Sequence, residues 1–202
     1  MILKYYYWFY KDGISKDIIK DILKESRKEK KQIALTGGFS KKDLKIKKKL
    51  KNLKKKRDCN IKWLHKKWIY DLIHPYLADA NSSAGWNFDV NFTEQIQFTI
   101  YSKNQYYGWH EDQFEQPYHS PKDVNKHGKI RKLSMSILLN DPKEYKGGIL
   151  EFATPNGHFQ CTELIKPGSL VVFPSFVKHR VTPVTKGKRI SLVSWTLGYP
   201  YK

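Results

Sequence analysis

The sequence predicts an α+β protein that is mainly β, a jelly-roll of antiparallel strands packed against helices from the N-terminal part of the chain. From Trp86 onward, short β-forming runs are separated by turn residues, which is typical of β-sandwiches and barrels. Before that point, apolar residues recur at helical spacing. The length of 202 residues suits one domain, and 40% hydrophobic and 14% aromatic residues are typical of a folded chain.

We expect a single domain over residues 1–202. Residues 1–94 form a helical support with a lysine-rich insertion at 41–57, and residues 95–202 form the β core. The apolar spacing within the insertion is compatible with a basic helix or a loop. The runs expected to be core strands are 95–101, 105–112, 132–140, 148–153, 158–165, 169–174, 177–184 and 188–197.

The N-terminal support is expected to contain one strand and two helices. The β-forming residues from Ile2 to Tyr10 predict the strand. Ser15 is a candidate helix cap, and the apolar face that follows consists of Ile18, Ile19, Ile22 and Leu23. In the second helix, Pro75 predicts a kink or a boundary. The apolar stripe of that helix consists of Trp68, Ile69, Leu72, Ile73, Tyr76 and Leu77.

The formal net charge of +19 is strongly basic. Eleven basic residues and one acid lie between Lys41 and Arg57, so this segment carries a net +10 and the rest of the chain +9. Lysine dominates, whereas side chains that fork onto bases and phosphates favour arginine. A solvated basic face is the favoured interpretation, and a nucleic-acid site on this segment is the alternative.

Cysteine content and the N-terminal sequence bear on the compartment. The chain has two cysteines, Cys59 and Cys161, so a disulfide framework is not expected and a reducing compartment fits. The apolar N-terminal stretch is short and contains Lys4, which argues against both a signal peptide and a membrane span. We therefore expect a cytoplasmic protein without a membrane partner.

The strongest local signal is the pair His110 and Asp112. Side chains alternate along a strand, so these two point to one face while Trp109 and Glu111 point away. An imidazole and a carboxylate side by side supply two ligands for a divalent metal. A second histidine from elsewhere would complete the facial triad of non-haem iron sites, which leaves positions open for other ligands.

His179 is the best candidate for that third ligand, because it begins a late strand. Arg189 follows ten residues later, on the next strand running back beside it. Ser191, Val193 and Trp195 share the face of Arg189. An arginine on the inner face of a small barrel requires an anion, and a dicarboxylate would supply one through a charge-assisted fork.

A further strand agrees with an internal cavity. In the run 95–101, alternation places Ile96, Phe98 and Ile100 on an apolar face that could pack on the helices. The opposite face consists of Gln95, Gln97, Thr99 and Tyr101. Polar groups on an inner face are costly unless water or a ligand satisfies them, and Tyr101 could donate to the anion that Arg189 binds.

The chain resembles PKHD-type hydroxylases, in the prolyl-4-hydroxylase-like branch of the Fe(II)- and 2-oxoglutarate-dependent dioxygenases. Weaker similarity extends to Asn81 and 86–89, and the lysine-rich run is the main departure. The segments that carry the resemblance are 97–101, 107–112, 131–134, 139–141, 147–152 and 168–195.

The resemblance implies a double-stranded β-helix with Fe(II) bound by His110, Asp112 and His179. It implies that Arg189 and Tyr101 meet the far carboxylate of 2-oxoglutarate, and Ser191 is a further candidate contact. The implied reaction hydroxylates a C–H bond, with O2 as oxidant and conversion of 2-oxoglutarate to succinate and CO2. Ascorbate is a candidate reductant. The implied substrate is a protein or peptide, with a prolyl residue as the first choice.

Two other functions remain open. The basic charge fits a nucleic-acid oxygenase, but demethylases of this superfamily typically have a second arginine six residues after the one matched by Arg189, where this chain has Trp195. The other is a non-enzymatic binding module on the same barrel, which would have no need of an intact triad together with Arg189 and Tyr101.

Several residues near the candidate ligands are expected to have a structural role or to lie at the surface. Trp109 and Trp195 are expected to pack in the core, and Arg180 is expected at the surface. The polar segment 113–130 is long enough to be a lid or substrate loop. The histidines interpreted as structural or exposed are His65, His74, His119, His127 and His158.

Overall fold

The computed structural model describes residues 3–36 and 39–201. The helices are α1 (Lys16–Lys28), α2 (Lys47–Lys56) and α3 (Lys67–Ser83), and 3-10 turns cover Asp43–Lys45 and Pro142–Glu144. The strands are β1 (Trp8–Tyr10), β2 (Gln32–Ile33), β3 (Arg57–Asp58), β4 (Asn60–Leu64), β5 (Phe92–Thr93), β6 (Ile96–Tyr101), β7 (Tyr106–His110), β8 (Ile130–Leu138), β9 (Lys146–Gly147), β10 (Leu150–Thr154), β11 (Gly157–Gln160), β12 (Leu170–Pro174), β13 (His179–Val181), β14 (Val184–Lys186) and β15 (Arg189–Gly198).

Two antiparallel sheets form the body of the molecule. The major sheet has the order β1-β12-β8-β15-β6-β4-β2, with β5 paired to β15. The minor sheet has the order β11-β10-β13-β7-β3, and β14 pairs with β9. This arrangement confirms the predicted jelly-roll, and all eight runs expected in the core contain strands.

Helices α1 and α3 cover one face of the major sheet. Ser15 accepts a hydrogen bond from the Ile18 backbone and caps α1, as predicted. Ile19 and Ile22 of α1 and Ile69 and Ile73 of α3 are buried against that face. The sheet contributes alternate residues from its central strands, because side chains on one face recur at every second position. They include Ile96, Phe98, Leu133, Met135, Ile137, Leu170, Val172 and Leu192.

A second core lies between the two sheets. On β12, Leu170 and Val172 belong to the helix-side core, whereas Val171 and Phe173 belong to the core between the sheets. Phe152 of the minor sheet is fully buried there. The inner face of the major sheet is therefore apolar at the end that packs against Phe152. Its other end can carry polar side chains.

The N-terminal region is more than helical support. β1, β2 and β4 extend the major sheet, and β3 is the edge strand of the minor sheet. The predicted strand from Ile2 is observed as Trp8–Tyr10, with Ile2 itself outside the described residues. Helix α3 runs through Pro75, so the boundary considered there does not occur. Within the lysine-rich run, residues 47–56 form α2, the helical one of the two alternatives.

Within residues 3–36 and 39–201, no helix combines the length and apolar character needed to cross a lipid bilayer.

Candidate metal centre

Strand pairing brings the two candidate histidines together. His110 ends β7, His179 begins β13, and the two residues are register partners in the antiparallel pair. Asp112 lies two residues beyond the end of β7, so a strand does not extend to it as predicted. Its backbone N–H donates to the Ser175 carbonyl at 2.9 Å. This hydrogen bond turns the chain and leaves the carboxylate facing both imidazoles.

Each histidine ring is oriented by the backbone carbonyl of the residue two positions before it. Nδ1 of His110 lies 2.9 Å from the Gly108 carbonyl, and Nδ1 of His179 lies 2.9 Å from the Val177 carbonyl. A carbonyl oxygen only accepts, so both Nδ1 atoms carry the proton and both Nε2 atoms present a lone pair. These Nε2 atoms lie 3.6 Å and 3.5 Å from the Asp112 carboxylate oxygens.

The two Nε2 atoms and the Asp112 carboxylate thus face one another with lone pairs, and no proton lies between them. One ligand atom from each residue can be chosen so that all lie within 4.8 Å of one another. Burial, together with His110 nearby, lowers the pKa of His179 to about 4, so the ring stays neutral. Burial opposes ionisation of Asp112, but nearby positive charge, including that of Arg131, outweighs it and holds its pKa below the ordinary value. A divalent cation fits this donor set.

Two serines hold the carboxylate in place. Ser134 on β8 donates to Asp112 Oδ2 at 2.8 Å, which requires Ser175 to donate its own hydroxyl proton to Ser134 Oγ, also at 2.8 Å. Both serines are fully buried. Hydrogen bonds to a ligating carboxylate orient it and tune its affinity for metal. Sequence reasoning assigned neither serine to the site.

Arg189 lies in a narrow recess of about 40 Å³ beside the triad. It is 2% exposed, and its Nη1 donates to Ser191 Oγ at 3.0 Å. The Tyr101 ring centre lies 5.9 Å from its guanidinium carbon. Burial raises the pKa of Tyr101, so the phenol keeps its proton and remains a donor. The described residues place no carboxylate within ion-pair distance of Arg189, which leaves this cation available to an anionic ligand.

A larger cavity of about 850 Å³ opens from His110 and Asp112 toward the surface. The β core provides one wall with Gln97, Tyr107 and Trp195. The N-terminal region provides the facing wall, which includes Lys30, Gln32, Ile33, Leu35, Thr36, Lys41, Leu44 and Arg57. The lysine-rich run therefore borders the candidate site rather than standing apart from it.

Two arginines beside the triad were not assigned to it from the sequence. Arg57 is 5% exposed and borders both the recess and the larger cavity, with its guanidinium 4.5 Å from the Tyr107 ring centre. Arg131 lies over Trp195 at 4.1 Å and forms an ion pair of 2.6 Å with Glu94. The pairing of β3 with β7 places Arg57 there, and the lysine-rich sequence around it gives no local sign of burial.

The residues of β15 predicted to share the inner face do so, and the prediction for the adjacent strand, β6, is correct in part. Arg189, Ser191, Val193 and Trp195 all line the recess, as do Gln97 and Tyr101. Thr99 is buried and accepts from Gln97. Gln95 is exposed and lies beside α3 on the opposite side, because it precedes the first residue of β6. Trp195 was expected only to pack in the core, but it also lines both cavities.

The residues around the triad include exposed histidines, the pair of Arg180 and Trp109, and the segment 113–130. The five histidines outside the triad are all exposed, as expected. Arg180 points away from the triad and pairs with Glu151 at 2.6 Å. Trp109 is half-buried beneath Arg180, at 4.7 Å. In the segment 113–130, the Tyr118 backbone N–H donates to the Lys129 carbonyl, and Phe114 reaches the cavity.

Solved structures with the same fold include several prolyl hydroxylases. The viral collagen prolyl hydroxylase from Paramecium Bursaria Chlorella virus-1, in its 2OG complex, superposes with a TM-score of 0.63 and 19% identity over 96% of this chain and 97% of that one. A Pseudomonas putida prolyl-4-hydroxylase gives 0.63 and 19% over 96% and 92%. A Trichoplax adhaerens prolyl hydroxylase, in complex with a hypoxia inducible factor peptide fragment, gives 0.62 and 14% over 96% and 84%.

Sequence relatives cover a smaller region. A PKHD-type hydroxylase of Xylella fastidiosa (strain 9a5c) is 35% identical over 104 residues, 49% of this chain and 42% of that protein. One from Shewanella frigidimarina (strain NCIMB 400) is 36% identical over 99 residues, 48% and 41% respectively. The chain thus spans about two fifths of the length of the curated relatives it matches.

The family model described as the 2OG-Fe(II) oxygenase superfamily matches residues 96–197, half of the chain. That region contains His110, Asp112 and His179 together with Arg189. The donor set, the buried unpaired cation beside it and the fold agree with the metal and co-substrate in the family's description. The chain belongs to the 2OG-Fe(II) oxygenase superfamily.

Proposed function

We propose that the protein is an Fe(II)- and 2-oxoglutarate-dependent dioxygenase that hydroxylates a C–H bond in a protein or peptide, with a prolyl residue as its target. One observation carries the proposal. Three metal-type ligands converge beside a recess whose buried cation, Arg189, has no carboxylate partner among the described residues. A binding module without activity has no need of this combination.

Each residue has a definite task in this proposal. When bound, Fe(II) with O2 and 2-oxoglutarate supplies the oxidising chemistry, in which 2-oxoglutarate becomes succinate and CO2 and one oxygen enters the substrate. His110, Asp112 and His179 hold the ion and leave its other side open to the cavity. Arg189 pairs with the distal carboxylate of 2-oxoglutarate, and Tyr101 donates to the same group.

Other groups keep the site ordered and dry. Ser191 fixes the Arg189 guanidinium through the hydrogen bond at 3.0 Å. Leu150, Phe173 and Val181 line the recess and exclude water from it. Exclusion of water strengthens the pairing of Arg189 with its ligand and limits side reactions of the oxidant.

A peptide substrate is supported by the cavity and by the relatives. The cavity of about 850 Å³ is open to the surface and has aromatic walls in Tyr107, Phe114 and Trp195, which suit a pyrrolidine ring. Solved proteins of the same fold include prolyl hydroxylases, and one of these was solved with a peptide. The lysine-rich helix α2 favours a second candidate, an oxygenase acting on nucleic acid.

The ligand assignment is tested by alanine substitution of His110, Asp112 and His179. We expect each variant to remain folded and to lose both Fe(II) binding and succinate formation, because two remaining ligands hold the ion weakly. The exposed His65→Ala variant is the control and should behave as wild type. Wild-type Fe(II) affinity and turnover in His179→Ala would contradict the assignment.

The substrate is tested by incubating peptide and oligonucleotide pools with enzyme, Fe(II) and 2-oxoglutarate, followed by mass spectrometry. The gain of one oxygen on prolyl peptides is the expected result. Turnover coupled only to oligonucleotides, or only to a free small molecule, would contradict a prolyl substrate while preserving the oxygenase.

A further inference from the structure

We infer that the substrate is an acidic peptide, in which a carboxylate near the oxidised residue pairs with Arg57 and further acidic residues meet Lys30 and Lys41. This inference rests on the proposed function and specifies its substrate class. All three residues lie outside residues 96–197, the region that the family model matches.

Arg57 is a buried cation with no carboxylate partner in the described part of the chain. Its Nε contacts Cys59 Sγ at 3.2 Å, and its Nη1 donates to the Leu35 carbonyl at 3.2 Å. No acidic side chain of residues 3–36 or 39–201 lies within 4.0 Å of its guanidinium nitrogens. A buried charge is costly unless it is paired. A substrate carboxylate would offset that cost.

The other charges of the site do not supply this partner. With both histidines neutral, a divalent ion and Arg189 balance the Asp112 carboxylate and the two carboxylates of 2-oxoglutarate. Arg131 is already paired with Glu94 at 2.6 Å. Among the described residues that line the two cavities, Arg57 is then the buried charge left without a partner when metal and co-substrate are bound. An incoming carboxylate next to the target residue would neutralise it.

The outer wall extends the same preference. Lys30 and Lys41 are exposed at the cavity and form no ion pair with the described residues. Apart from the ligand Asp112, the acid lining this cavity is the exposed Glu111. The wall facing the β core therefore carries three cations, the exposed Lys30 and Lys41 and the buried Arg57, among apolar and neutral side chains. Like-signed charge along a cleft attracts a ligand of the opposite sign.

The depth of Arg57 favours a peptide over a nucleic acid. Arg57 borders the recess that contains His110 and His179 as well as the outer cavity. A base inserted toward the metal is uncharged and would leave Arg57 unpaired, while its phosphates would stay at the rim. An aspartate or glutamate side chain beside a target residue places its charge at the required depth.

The test uses fluorescein-labelled peptides that contain one proline, with an aspartate placed at each neighbouring position in turn, and matched asparagine peptides. Binding is measured by anisotropy to enzyme with Fe(II) and 2-oxoglutarate under nitrogen, and hydroxylation is measured in air. At the preferred position we expect the aspartate peptide to bind and react at least about tenfold better, since truncating a buried charge pair costs that much or more.

Two variants separate the contribution of the buried Arg57 from that of the exposed Lys30 and Lys41. Arg57→Gln should reduce the preference for aspartate to about twofold or less, because the paired charge is gone. Lys30→Glu with Lys41→Glu should weaken binding of aspartate peptides about fivefold at low salt and less at high salt. The exposed positions of these lysines make the double variant informative even if Arg57→Gln fails to fold.

The matched control is Lys47→Glu with Lys48→Glu, which makes the same charge change on exposed residues of α2 that do not line the cavity. It should leave peptide binding unchanged. Equal binding of aspartate and asparagine peptides, or oxygen transfer only to single-stranded oligonucleotides, would overturn the inference while 2-oxoglutarate turnover remained. Absence of any succinate formation would instead overturn the proposed function.

Discussion

At the scale of single residues, the candidate metal site depends on hydrogen bonds that the sequence does not display. His110, Asp112 and His179 could be chosen from their spacing and from residue chemistry. Ser134 and Ser175 could not, because they become neighbours only when the first half of β8 lies beside the end of β12, where the Ser175 N–H donates to the Lys132 carbonyl. A serine in a strand has no local feature that marks it as a partner of a ligand.

The role of Ser134 is open to a direct test. Ser134→Ala removes the donor to Asp112 Oδ2 and should weaken Fe(II) binding about 10- to 100-fold, as is usual for groups that orient a metal ligand. Metal affinity is measured by competition with a chelating dye.

Ser194→Ala is the matched control for this prediction. It removes a buried hydroxyl that has no hydrogen-bond partner among the described residues, so neither metal binding nor stability should fall. Equal metal affinity in Ser134→Ala and Ser194→Ala would show that the hydrogen bond to Asp112 has no part in holding the metal.

At the scale of elements, the strands of the β core could be predicted because their alternation and turn residues are local signals. β2, β3 and β4 could not be placed in the sheets in the same way. β2 and β3 are only two residues long, and β3 begins at Arg57, the last residue of the lysine-rich run. Arg57 illustrates the consequence. In the sequence it ends a series of lysines, whereas its pairing with Tyr107 carries it into the cavity.

The turn before β10 affects the position of Arg189. Gly148 has a φ of +63°, and a Cβ atom added there would lie 3.0 Å from Arg189 Cδ. Gly148→Ala should lower the free energy of unfolding by roughly 1–2 kcal/mol through left-handed strain. It should also raise the 2-oxoglutarate concentration needed for half-maximal turnover, because the arginine must move.

Gly85→Ala separates these two effects. Gly85 has a similar φ of +71° and open space around the added Cβ. The variant should lose comparable stability in urea unfolding and keep the wild-type requirement for 2-oxoglutarate. The same change of that requirement in both variants would mean that strain, and not contact with Arg189, is responsible.

At the scale of the whole molecule, each layer of the fold has a separate role. Helices α1 and α3 bury one face of the major sheet, which leaves its other face to form the recess with the minor sheet. The N-terminal region then forms the wall of the outer cavity opposite the β core. Leu53 of α2 is 1% exposed, so the lysine-rich segment is anchored in the fold rather than attached to its surface.

The proposed function depends on binding of metal by the triad and of 2-oxoglutarate by Arg189 at adjoining positions. It is tested most directly by anaerobic calorimetric titration of 2-oxoglutarate into protein with and without Fe(II). Tight binding should require Fe(II), and Arg189→Ala should weaken it roughly 30- to 1000-fold, because a charge-assisted pair is lost at a cost of about 2–4 kcal/mol.

The exposed Arg27→Ala variant of α1 serves as the control in this titration and should bind as wild type does. We predict Fe(II)-dependent binding that is lost in Asp112→Ala and greatly weakened in Arg189→Ala. Binding of equal strength without Fe(II), or an unchanged affinity in Arg189→Ala, would contradict it.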